Sequence, residues 1–343
     1  MEKFGSWSVL TTDFLVVLYL ALCGVLLCSL LQMANAQWRF YVRKLAVSLA
    51  ALFPVAFVLL LILLFNGEAT FPWLKDAQEG GHHLSGWHNY TFLVTRQIVC
   101  FLIVAGLFGL FIKYQHQSEI DSSPAAQRRL RNIALLIPFA YVPYATLVAW
   151  DFEMTMMPGW HSASYGAYHF VSNFHAFLAF FAVFLFFLTR SGKLVTPLPE
   201  HVMNYLAQMI FAFTILWTYL FFTQYLIFWY GRLPDNLTRF NHMMYQGYGA
   251  LWWTFFTVKF IVPFSAFLFT ANRHNPVVIA VVGCGIVLGT WLERYTWISG
   301  SVDPKFYHMP MTAVFDVVVT LAVIAVSWFA VRWSLTRYGL IRA

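Results

Sequence analysis

Residues 150–175 read Trp-Asp-Phe-Glu-Met-Thr-Met-Met-Pro-Gly-Trp-His-Ser-Ala-Ser-Tyr-Gly-Ala-Tyr-His-Phe-Val-Ser-Asn-Phe-His. This stretch joins two apolar runs, 133–149 and 168–189, each about long enough to cross the hydrocarbon core of a bilayer. Two acids, Asp151 and Glu153, and two histidines, His169 and His175, stand at the junction. Ionisable groups at membrane depth are costly, so they face a polar interior or a pathway. The plainer alternative is a capped interfacial loop, with Trp150 and Trp160 in an aromatic belt.

Working outward, composition agrees with a membrane protein. The chain of 343 residues is 60% hydrophobic and 10% charged, where soluble domains run to about 25% charged. The four cysteines, Cys23, Cys28, Cys100 and Cys284, are scattered through apolar runs. No C-x-x-C or C-x-x-C-H pattern occurs, so haem c, iron–sulfur and zinc sites lack their ligand spacing, and the cysteines read as small buried apolar residues. The run Phe14 to Leu31 exceeds the h-region of a signal peptide, so it reads as a retained first span.

The sequence predicts an all-α polytopic protein forming a single integral membrane domain over residues 1–343, with spans at about 12–33, 43–65, 91–113, 133–150, 168–189, 204–230, 249–271, 277–298 and 311–333. Helices are expected because lipid requires every backbone group to be satisfied internally, and these runs lack the alternation of barrel strands. The longest loops are 66–90, with Gly80-Gly81-His82-His83, and 299–310. No internal repeat is evident.

The cations set the orientation. Arg39, Arg43 and Lys44 follow span one, Lys113, Arg128, Arg129 and Arg131 span three, Arg190 and Lys193 span five, Arg273 span seven, and Arg332, Arg337 and Arg342 the last. The other side carries Lys3, Lys75, Arg232, Arg239 and Lys305. The positive-inside rule then places the N-terminus outside and the C-terminus in the cytoplasm. The net charge of +7 is thus spent on loops, with no call for nucleic acid.

With this orientation the ionisable groups gather in the outer half: Asp151, Glu153, His169, His175, Glu293 and Arg294, with Asp316 about one and a half turns into span nine. Asp316 has no partner in its local sequence. Adjacent Glu293 and Arg294 either pair with neighbouring helices as glue or serve a pathway. Lys259 lies near the middle of span seven, where insertion costs roughly 2.5–3.5 kcal/mol. It should face protein or water, either as a proton carrier or paired with an acid such as Glu293. These eight residues are the predicted proton-transfer groups, and Asp151, His169, His175, Glu293 and Asp316 are expected to line one outer-side polar cavity that reaches toward Lys259. His169 and His175 are six apart on one helix and so point to different faces. With no second span histidine opposite them, haem is not expected. On span six, Trp217, Tyr219, Gln224, Tyr225, Trp229 and Tyr230 offer aromatic surfaces with polar tips. Tyr219, Gln224, Tyr225 and Trp229 are the candidate wall for a quinone ring.

Three segments resemble one family. Gln37-Trp-Arg-Phe-Tyr-Val-Arg-Lys-Leu with Ala50-Ala-Leu-Phe-Pro-Val-Ala is similar to its early helix junction. Trp150-Asp-Phe-Glu-Met, Pro158-Gly-Trp-His-Ser and Tyr165-Gly-Ala-Tyr are similar to its central loop, where Asp151 stands at the position of the family's loop aspartate. Phe211-Ala-Phe-Thr-Ile-Leu-Trp-Thr-Tyr and Thr223-Gln-Tyr-Leu-Ile-Phe-Trp-Tyr-Gly-Arg-Leu-Pro-Asp are similar to its most recognisable helix. The family is the ActF-type membrane subunit of alternative complex III, a quinol:cytochrome c oxidoreductase, within the NrfD/polysulfide-reductase-like group.

The resemblance implies two four-helix bundles plus flanking helices in a bacterial inner membrane. It also implies periplasmic iron–sulfur and haem c subunits and a sister NrfD-like membrane subunit as partners. Quinol (menaquinol or ubiquinol) would be oxidised near the periplasmic face, with protons moving through the membrane subunits and no covalently bound cofactor here. The sequence departs from the family at its start: nine spans replace ten, and an outer N-terminus replaces an inner one. The runner-up reading is the NrfD-like anchor of a molybdenum or polysulfide-type quinone oxidoreductase. A solute transporter is disfavoured, because its groups should meet at a midplane site and only Lys259 is central.

Overall fold

Apolar runs this long can satisfy their backbone in lipid only as helices, and the computed structural model, which describes residues 4–78, 84–301 and 307–342, is built in that way. Among those residues nine helices are long and apolar enough to cross a membrane. They are α1 (Phe4–Met33), α2 (Arg39–Phe65), α3 (Tyr90–Ile120), α4 (Pro124–Phe152), α5 (Tyr165–Arg190), α6 (Glu200–Tyr230), α7 (Gly249–Leu268), α8 (Pro276–Ser299) and α9 (Val314–Arg337). No strand occurs among the described residues; an isolated antiparallel bridge between Leu194 and Ile341 ties the loop after α5 to the C-terminus. The chain is an all-α polytopic membrane protein. Lys3, the Gly80–His83 loop and Lys305 lie outside the described residues.

Helix α1 starts at Phe4 rather than near residue 12. Its early hydroxyls bond to their own helix, Ser8 Oγ to the Phe4 carbonyl at 2.8 Å and Thr12 Oγ1 to that of Ser8 at 2.8 Å, so a polar-looking stretch continues the span. Asp13 is therefore inside the bundle. The most apolar window of α1 is 83% buried and that of α9 only 17%, which makes α1 the centre and α9 the flank.

Helices α1–α4 pack as one group and α5–α8 as another, with α9 against α1 and α2. This is the expected pair of four-helix bundles with a flanking helix. The seam between them is made by α1, α4, α5 and α8. Small residues bring α5 and α8 close: a Cβ added at Gly283 would come within 3.0 Å of the Ala179 carbonyl oxygen. Helix α2 is interrupted by a 3-10 turn at Leu49–Leu52, just before Pro54. Lacking an N–H, Pro54 suits a fresh helix start. Between α6 and α7 a shorter helix, Pro234–Met244, lies on the N-terminal side of the domain.

Candidate functional site

Helix α5 carries Tyr165, Tyr168, His169 and Ser172, a spacing of three, four and seven that puts all four side chains on one stripe. That stripe faces Glu293, Arg294 and Trp297 of α8. Lys259 joins from α7, Tyr19 from α1, and Glu153 from the residue that ends α4. Glu153, His169, Lys259, Glu293 and Arg294 are all fully buried.

Arg294 is the hub. Its Nη1 donates to Glu153 Oε1 at 2.9 Å and Oε2 at 2.7 Å, and its Nη2 donates to Glu293 Oε1 at 2.5 Å. Glu153 Oε2 also accepts from Tyr165 Oη at 2.6 Å and lies 2.7 Å from His169 Nδ1. Glu293 accepts from Trp217 Nε1 at 3.0 Å, from Ser172 Oγ at 2.7 Å, and from Tyr168 Oη. Lys259 Nζ contacts Glu293 Oε2 directly and donates to Ser172 Oγ at 2.8 Å. Two carboxylates and two fixed cations leave this network neutral when His169 is neutral, and one added proton makes it a cation. Charge balance inside the low-dielectric core is what allows such groups to stay buried.

The backbone makes room for Lys259. Residues Thr257–Ile261 form one π-helical turn, in which the Val262 N–H reaches back to the Thr257 carbonyl. Pro263, with no N–H to give the preceding turn, follows directly, and such bulges mark functional positions in other helices. On the facing helix Gly289 leaves space for the lysine stem, since a Cβ there would lie 2.7 Å from Lys259 Cγ and 2.6 Å from Val258 Cγ2. The sequence alternative of a Lys259–Glu293 pair is what the structure contains.

Not every predicted residue joins this network. Asp151 is held apart, accepting from Arg96 Nε at 2.9 Å and Nη2 at 2.5 Å, Gln97 Nε2 at 2.6 Å and Trp87 Nε1 at 2.8 Å. That full set of donors makes it a clamp between α3 and α4. His175 points elsewhere than His169, as its six-residue offset requires: its Nε2 lies 3.0 Å from Thr214 Oγ1. Its Nδ1 has no hydrogen-bond partner among the described residues.

Asp316 also lies outside, and three expectations about it change. It sits in the first turn of α9 rather than deeper, because that helix begins after the loop at residue 314. It does have a sequence-near partner, His308, whose Nε2 is 2.8 Å from Asp316 Oδ2. It belongs with Asp13, which accepts from Trp291 Nε1 at 2.7 Å and from Thr320 Oγ1 at 2.7 Å, since Thr320 follows Asp316 by one turn on the same face. The expected single cavity is thus four separate sets of contacts: the Arg294 network, the Asp151 clamp, His175 on Thr214, and Asp316 with His308.

The α6 aromatic wall splits as well. Tyr219 and Trp229 are 61% and 58% exposed on the outward face, while Gln224 is buried and its Oε1 accepts from Ser162 Oγ at 2.9 Å. Tyr225 is half-buried against Phe240. A helix turns 100° per residue, so positions 219, 224, 225 and 229 cannot share one face. They do not form one ring pocket. Trp160 is not in an interfacial belt either: it is buried, and its Nε1 donates to the Asn236 carbonyl at 3.0 Å. Of the cysteines, Cys23 and Cys28 are buried as expected, whereas Cys284 is exposed.

Residues the sequence reading passed over complete the site. Tyr19 Oη lies 2.7 Å from His169 Nε2, extending the network into the first bundle. By sequence Arg239 is a loop charge, yet it is fully buried. Its Nη2 donates to the carbonyls of Glu153 and Trp297, each at 2.6 Å, and its guanidinium lies over Trp160 at 4.5 Å. Burial pulls it down from the ordinary arginine value to about 10, so it remains a cation at neutral pH and fixes the backbone that carries Glu153. An arginine within a short amphipathic stretch, Pro234–Met244, was the available signal.

Compared with known protein families and with curated proteins, the chain matches no family model and no curated protein significantly.

Proposed function

We propose that this chain is the integral membrane subunit of a quinol-oxidising respiratory complex, a quinol:cytochrome c oxidoreductase of the alternative complex III type, and that it moves protons beside the site of quinol oxidation. The observation that carries this reading is the buried, charge-balanced network from Tyr19 through His169, Glu153, Arg294 and Glu293 to Lys259. An imidazole set between a carboxylate and a guanidinium is a group that can take up and return a proton without unpairing its neighbours.

Oxidation of one quinol yields two electrons and two protons. The electrons belong to partner iron–sulfur and haem c subunits, and a sister NrfD-like membrane subunit would share the bilayer. No quinone step is assigned to α6, because Tyr219, Gln224, Tyr225 and Trp229 do not converge. The alternation of loop cations supports a periplasmic N-terminus and a cytoplasmic C-terminus in a bacterial inner membrane.

The test is purification of the native complex from its membrane, identification of its subunits by mass spectrometry, and assay of quinol oxidation with cytochrome c. Co-purifying iron–sulfur and haem c subunits with activity support the reading. A molybdenum subunit instead would favour the anchor of another quinone oxidoreductase, and a chain that purifies without redox partners would sink both.

A further inference from the structure

On the side of the domain opposite the N-terminus, the residues leading into α2 meet the start of α6. A cleft of about 610 Å³ opens there, lined by Gln37, Trp38, Phe40, Tyr41, His201 and Tyr205. Its rings contact one another in series: Trp38 to Tyr205 at 5.9 Å, Tyr205 to His201 at 5.4 Å, and His201 to Tyr41 at 6.0 Å. Phe40, Tyr41 and Tyr205 are 51%, 41% and 40% exposed, so the apolar walls are open to their surroundings rather than packed shut.

The charge beside the cleft is unbalanced. Arg43 and Lys44 share Glu119, at 2.9 and 3.2 Å. Arg39 has no ion pair among the described residues; its guanidinium lies over the Phe40 ring at 4.3 Å, Nη1 donates to the Ala36 carbonyl at 2.8 Å, and Nε has no partner. Glu200, the nearest acid in sequence on α6, is exposed at the helix start. A guanidinium without an ion pair, lying over Phe40 of an aromatic-walled cleft, matches a ligand with an anionic head and an apolar body.

We propose that this cleft binds the headgroup region of an anionic phospholipid from the adjoining leaflet, with Arg39 meeting the phosphate. Phe40, Tyr41 and Tyr205 pack on the glycerol and first methylenes. Basic pockets between membrane helices on the cation-rich side take such headgroups by charge, and aromatic rings suit the same depth. Free phosphate would leave the aromatic walls without a partner. The proposal rests on the chain's being a membrane protein and on these residues, and it is independent of the redox reading.

The test uses the full chain in nanodiscs containing photoactivatable phosphatidylglycerol or, separately, photoactivatable phosphatidylethanolamine. Crosslinks are mapped by peptide mass spectrometry. The anionic probe should label residues 37–41 and 201–205 several-fold more than the zwitterionic one. Arg39→Gln should reduce that labelling about fivefold, the contribution of one interfacial cation, while Arg39→Lys should keep most of it. Equal labelling by the two lipids, labelling indifferent to Arg39→Gln, or displacement of the probe by excess inorganic phosphate would each overturn the proposal. Thermal unfolding of both variants at the wild-type midpoint shows that lost labelling is not lost folding, and the readout needs no quinol or electron acceptor.

Discussion

Nδ1 of His169 lies 2.7 Å from Oε2 of Glu153, and the same nitrogen is 2.8 Å from Nη1 of Arg294. One neighbour only accepts and the other only donates, so a neutral imidazole satisfies one of them at a time. With a proton on Nδ1 it donates to Glu153; with Nδ1 bare it accepts from Arg294. Tyr19 Oη, at the other ring nitrogen, complements either tautomer by turning its hydroxyl. The two arrangements differ by the position of a proton and no heavy atom has to travel.

Replacing this ring should therefore uncouple protons before it unfolds the protein. His169→Gln keeps hydrogen bonding but cannot carry a proton, and in the assembled complex it is expected to lower proton release per quinol. Tyr19→Phe should weaken the same coupling by a smaller factor. Unchanged proton-to-electron ratios in both variants would remove His169 from the path.

Lys259 and Glu293 should behave as one energetic unit. Removing one member of a buried ion pair costs about 3–5 kcal/mol, because the partner is left uncompensated. Arg294 remains beside Glu293, so Lys259→Met should fall at the lower end of that range. The double variant Lys259→Met with Glu293→Gln is expected to be less destabilised than the sum of the singles. Thermal unfolding in detergent measures this; simple additivity would show that the pair is not coupled.

Gly289→Ala should push a methyl into the lysine stem and Val258, an overpacking cost of about 1–3 kcal/mol. Gly106→Ala is the control, since nothing lies within 4 Å of a Cβ added there, and it should leave the unfolding midpoint unchanged or slightly raised. Equal midpoints for the two variants would contradict the close approach of α7 and α8.

The outlying acids should show different phenotypes. Asp151→Asn removes the charge that balances Arg96 and is expected to destabilise by about 3–5 kcal/mol, read as poor assembly rather than as selective loss of proton release. Asp316→Asn and His308→Gln break one contact at the bundle edge and should match each other in proton release and stability. If only the Asp316 variant lost proton release, the aspartate would be acting apart from His308.

Much of the fold was legible because bilayer physics leaves few choices. Long apolar runs and alternating loop cations give nine spans directly, and a lysine in mid-span demands a partner, so Lys259 and Glu293 could be named together. What stayed hidden was which face each helix turns to which neighbour. Asp13 follows two threonines near a chain end and resembles a boundary, and only packing against Trp291 and Thr320 places it inside. Arg239 looks like any loop arginine until Glu153 and Trp297 close over it. The α6 residues failed as one wall because composition counts rings without counting helical phase. Asp316 is hidden from sequence for a related reason: its partner His308 sits eight residues away across a loop, where no periodicity links them.

The place of the network within the fold restricts how the molecule can move. Glu153 and Tyr19 belong to the first bundle, while His169, Glu293, Arg294 and Lys259 belong to the second. The carboxylate and guanidinium therefore act as a rivet through the seam. Rocking one bundle against the other would draw Glu153 from Arg294 in a dry interior, a cost of about 3–5 kcal/mol, which holds the rocked state below about one molecule in a hundred. A seam riveted in this way favours side-chain adjustments over sliding of whole helices.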